Sequence, residues 1–214
     1  MFILQKGINL QCPYKSENIN IQDMKKLIIQ ITLAVVSILL AYFIYNGIQG
    51  PIKFKNEVDR RSAVVVERLK DIRDAQVAYR NVNGRFTTSF DTLIEFVSTG
   101  KIPIIKLTAD PDDTTFSVMF VDTVGFTLVM DSIFKNKPNF KPADLKYIPF
   151  SEGVEFDMKS GTTVKGNVTV NVIEVFAANK YFLKGMALKK NNIDPEDGLK
   201  FGSMFDPTTD GNWE

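Results

Sequence analysis

The chain has 214 residues, 44% of them hydrophobic and 24% charged, a globular composition with room for one domain and something extra. A formal net charge of +1 gives no general attraction to nucleic acid or to an anionic surface. There is no histidine and only one cysteine, Cys12, which excludes intramolecular disulfides, thiolate zinc sites and Cys-His or His-based catalysis.

Residues 1–23 lack clear periodicity and read as an N-terminal tail. Met24-Lys25-Lys26 then opens an apolar run in the manner of a short basic leader, and Met24 is the expected true start. Residues 24–46 are the expected transmembrane anchor. LIIQITLAVVSILLAYFIY, residues 27–45, carries no charge. As a helix it would rise about 28 Å, close to the hydrocarbon thickness of a bilayer. Tyr42, Phe43 and Tyr45 gather at one end, as an interfacial belt does. A cleaved signal peptide is the competing reading, but no small-x-small site follows the run, so an uncleaved single-pass anchor is expected. Lys6, Lys15, Lys25 and Lys26 precede it and Lys53, Lys55, Arg60 and Arg61 follow. The count is a tie. The closer approach of Lys25 and Lys26 favours an internal N-terminus and an extracytoplasmic C-terminal domain at a bacterial inner membrane.

Gly47, Gly50 and Pro51 predict a joint over 47–54. Residues 55–214 then read as one α+β domain. Lys55 to about Val82 is a helix of about 42 Å, with Val58, Val65, Ile72 and Tyr79 every seventh residue and Leu69 and Gln76 on the next row. Acids and bases alternate outside that stripe, and Asn83-Gly84 stops it. A second helix is expected over Ser89–Val97, capped by Ser89. From about residue 115 the period becomes two. Strands are expected at Phe116–Phe120, at Phe126–Met130 after a turn at Thr123-Val124-Gly125, at Val154–Met158, at 168–176 and at 181–183. An antiparallel sheet with one wet face would receive the helix stripe on its dry face. The tail 191–214 reads as polar turns with Trp213 tucked onto the domain.

Motifs for chemistry are weak. Ser98-Thr99-Gly100-Lys101 lacks the upstream glycine of a P-loop, there is no Gly-x-Ser-x-Gly elbow, and two Ser-x-x-Lys spacings have no partner motif. Asp110, Asp112 and Asp113, and in the tail Asp206, Asp210 and Asn212, could offer oxygens to calcium, although neither group has EF-hand spacing and both suit solvated turns. Nine bases against five acids in residues 53–85 are interleaved, which cancels a field along one face and argues against nucleic acid. No catalytic constellation and no cofactor beyond calcium is expected.

An apolar anchor, then Leu69-x-x-Ile72-x-x-Ala75-Gln76-x-Ala78-Tyr79, Asn83-Gly84-Arg85-Phe86 and a short helix with Phe90 and Leu93, together resemble the type IV pilin and pseudopilin family. The chain is also similar to membrane-anchored bacterial envelope proteins with a Gly-Asn-Trp-Glu-like tail. The motifs cover about residues 24–97. The prepilin cleavage glycine and the glutamate near the start of the anchor are missing. The resemblance implies a helix packed on a small antiparallel sheet. It also implies a structural, scaffolding role in an envelope assembly, with the membrane, other envelope proteins or further copies as partners. The rival expectation is a tethered module that binds a ligand or peptide.

Overall fold

A computed structural model describes residues 21–109 and 119–214. It is an α+β structure, and the chain divides into two compact units between Ile52 and Lys53.

Helix α1 covers Ile21–Asn83. Residues 47–54 are helical, with Pro51 inside the helix, and the boundary between the two units falls among them, between Ile52 and Lys53. One proline removes a single i→i−4 bond, and its own φ is already helical. α1 is long and apolar enough to cross a membrane, and none of its most apolar window is buried. Leu33 and Ile38 are 67% and 70% exposed. The hydroxyls of Thr32 and Ser37 donate to the carbonyls of Ile28 and Leu33, so the few polar atoms in this stretch are satisfied within the helix.

In the second unit the expected stripe of α1 is in the core. Val65, Leu69, Ile72 and Ala75 are fully buried, with Val58 and Tyr79 packed at the margins. Outside it, Arg60 and Arg61 both bond Glu57 and hold its carboxyl at about 2. Helix α2, Phe90–Thr99, begins as expected. Ser89 is its N-cap, accepting from the Thr92 amide, and Phe90, Leu93 and Val97 turn inward.

Two sheets form instead of one. Strands β1 (Lys101–Ala109) and β2 (Met119–Leu128) make an antiparallel pair. Strands β3 (Asp157–Lys165), β4 (Val168–Ala178) and β5 (Gly198–Ser203) make a three-stranded antiparallel sheet in the order β3-β4-β5. No turn occurs at Thr123–Gly125. β2 runs through it, and the irregularity sits opposite, between Ile104 and Ile105. Met130 falls in a short helix, α3 (Val129–Ile133). Val154 and Phe156 precede β3, where Ile148 donates to the Val154 carbonyl and Phe156 to that of Lys146. The strand expected at 181–183 is mostly a helical turn, α4 (Asn179–Phe182), with Phe182 and Leu183 buried.

Ile173, Val175, Ala177 and Phe201 join the stripe of α1 in a single core. The opposite face carries Lys159, Glu174 and Lys200, so one face is wet as expected. The tail is more ordered than its composition suggests. Beyond β5, Gly202 donates to the Asp210 carbonyl and Asn212 to that of Lys200, with Gly211 bridging Phe201. Gly202 sits at φ +75, and a Cβ there would lie 2.1 Å from the Ile173 carbonyl oxygen. Trp213 packs against the core as expected, with its indole nitrogen buried and unpaired.

Candidate functional site

A concave feature of the second unit is built where α1 ends. Gly84, at φ +74, donates its amide to the Arg80 carbonyl at 2.7 Å and turns the chain out of the helix. Phe86 then folds back into the core, and the Arg80 guanidinium lies 5.1 Å from its ring centre. Gln76, 1% exposed, fastens the next residue from both sides: its Nε2 donates to the Thr87 carbonyl at 2.9 Å and its Oε1 accepts from the Thr87 amide at 3.2 Å. Thr87 Oγ1 in turn accepts from the Ser89 amide. A chain of side-chain to backbone bonds therefore fixes the loop from α1 into the cap of α2.

Between this loop and the sheet lies a cleft of about 470 Å³. Tyr79, Arg85, Phe86, Thr87, Thr88, Ser89 and Thr92 line one side, and Ser160, Gly161, Thr162 and Asn171 the other. Asn171 Nδ2 donates to the Gly84 carbonyl at 2.7 Å and ties β4 to the turn. The lining carries no carboxylate, thiol or imidazole. It offers hydroxyls, one amide and one guanidinium, groups that donate and accept hydrogen bonds.

A second, smaller hollow of about 280 Å³ borders an ion network on α1. Lys137 Nζ lies 2.6 Å from Asp71 and 3.1 Å from Glu67. Arg68 donates to the Asp144 carbonyl. Burial pushes the Asp71 carboxyl up more strongly than the Lys137 ammonium pulls it down. The bonds to Asp71 and Glu67 raise Lys137, prevailing over its own burial. These contacts tie the 134–146 segment to the helix.

Asp110, Asp112 and Asp113 lie outside the described residues. In the tail, Asp206 pairs with Lys165 at 2.7 Å, Asp210 accepts from Thr208 Oγ1 at 2.6 Å, and Asn212 donates to the Gly198 carbonyl while accepting from the Lys200 amide. Each has a local structural partner. Among the described residues no group of three or more acidic or thiol side chains converges as a metal site would require.

The cleft residues were not singled out by sequence. Arg85 and Phe86 stood in the Asn-Gly-Arg-Phe turn, but Thr88, Thr92, Ser160, Thr162 and Asn171 are brought together only by the fold. Comparison of the chain with protein-family models, curated proteins and solved structures finds no match.

Proposed function

We propose that this protein is a membrane-anchored, non-catalytic subunit of a bacterial envelope assembly, pilin-like in build, with residues 55–214 on the extracytoplasmic side. The observation that carries this reading is the exposed apolar half of α1, where none of the described residues covers Leu27–Tyr45. In water, about twenty such side chains would expose far more apolar surface than a free helix sustains, and a bilayer removes that cost. The pilin-like part of the reading is supported by the sequence motifs and by the apolar stripe Val65, Leu69 and Ile72 of a helix buried in the core of the second unit.

The test is chemical cross-linking of the full chain in native membranes after alkaline carbonate washing. The expected result is a membrane-retained protein that yields discrete cross-linked species with defined partners or further copies. Release by carbonate would sink the anchor, and a carbonate-resistant protein that traps only as monomer would sink the assembly role.

A further inference from the structure

The three-stranded sheet treats its two edges differently. At the β5 edge the chain's own tail supplies an extra stretch of paired backbone through Gly202, Asp210, Lys200 and Asn212. At the other edge, residues 146–148 pair with 154–156 just ahead of β3, and from Asp157 onward, among the described residues, no backbone hydrogen bond reaches β3 from any element except β4. An unpaired edge presents a row of N–H and C=O groups that water alone satisfies.

That open edge borders the cleft. Ser160, Gly161 and Thr162 of β3 form part of its wall. A second cavity of about 360 Å³ borders the start of the same strand and shares Thr88 and Ser89 with the first. A groove therefore follows β3, with the Thr88–Thr92 region as its opposite bank. The hydroxyls of Thr88, Thr92, Ser160 and Thr162 have no partner within the described residues, and neither does the guanidinium of Arg85. The groove is polarised. Arg85 is unpaired at one end, whereas Asp91, Glu155 and Asp157 stand at the other with Lys146 and Lys159.

We propose that this groove receives an extended segment of a partner protein, which adds to the sheet as a strand alongside β3 and places an acidic side chain on Arg85. Backbone pairing supplies sequence-tolerant affinity, and the guanidinium supplies selectivity through a paired, charge-assisted contact. The unpartnered hydroxyls suit an extended, polar backbone better than an apolar helix, which would leave them unsatisfied. This surface lies wholly within residues 79–171 and does not depend on how the chain is anchored.

The probe is a phage-displayed library of random nonapeptides, selected on the full chain in lipid nanodiscs, with the Arg85→Gln protein as the parallel target. The expected outcome is enrichment of peptides sharing one acidic position. Binding of a selected peptide should weaken about tenfold or more on Arg85→Gln or on changing that acid to its amide. Thr92→Trp, which fills the cleft from an exposed position, should abolish binding. Hydrogen exchange should slow at β3 amides when the peptide is added. Enrichment that is equal on both targets, or no enrichment over the displayed background, overturns the proposal. So does a bound peptide that leaves β3 exchange unchanged.

Discussion

Gln76 is the residue whose role changed most between pattern and structure. In the sequence it is a polar member of an apolar row. In the fold it replaces two backbone partners for Thr87 at once, inside a core that would otherwise leave that amide and carbonyl unsatisfied. Gln76→Leu keeps the volume and removes the bonds, and should cost about 2–3 kcal/mol in denaturant unfolding. A loss below about 0.5 kcal/mol would show that water replaces the amide. Lys137 gives a second test at this scale. With a raised folded value, its contribution is present below 10.5 and lost as pH rises through that folded value. Lys137→Met leaves Asp71, 7% exposed, without its cation and should cost about 1–2 kcal/mol at pH 7 after allowing for solvent screening of the exposed lysine. Asp71 binds its proton more tightly folded than unfolded, because burial outweighs the pull of Lys137, so the penalty should shrink as pH falls and that carboxyl takes up its proton. A penalty independent of pH would mean that packing of the lysine stem is what was lost.

Elements differed in how openly they were written. The 55–82 stripe was legible because seven-residue spacing of Val65 and Ile72 with Leu69 beside them has one geometrical reading. Leu69→Ala should cost about 2–5 kcal/mol by thermal or chemical unfolding, since that side chain is fully buried. β1 was not legible. A proline is disfavoured inside a ladder, yet Pro103 sits opposite Phe126 in a two-stranded ribbon, where each strand has a free edge. β5 was hidden by its two terminal-region glycines, which are needed because a Cβ at Gly198 would lie 2.0 Å from the Ala177 carbonyl oxygen. The run at 181–183 is a short apolar stretch of the kind that suits a strand or a helical turn equally. Over 47–54 the chain is helical although glycine and proline lower helix propensity, because they do not forbid a helix. For the apolar half of α1, Leu39→Arg should move a substantial share of the protein from the membrane to the soluble or degraded fraction. A charge mid-bilayer costs about 2.5–3.5 kcal/mol on insertion scales. Unchanged membrane retention would argue that this segment does not span.

For the molecule as a whole, the α+β class and the contact of α1 with a sheet could be read in advance. The division into two sheets and the cleft could not. The cleft draws on residues 79–92, 160–162 and 171, whose individual signals are those of a helix end, a cap and a polar strand. Nothing local distinguishes a threonine that faces a groove from one that faces open water.

The tail pairing at β5 has a consequence for how many copies can join. With the β5 edge covered and, among the described residues, the β3 edge open, pairing between copies through this sheet stops at two. Removing residues 208–214 would uncover the β5 edge and leave two edges open, the condition for an unending row. The truncated chain should therefore show concentration-dependent growth of thioflavin-positive fibres under conditions where the full chain stays at a fixed size. Residues 208–214 thus close the β5 edge with their own backbone groups.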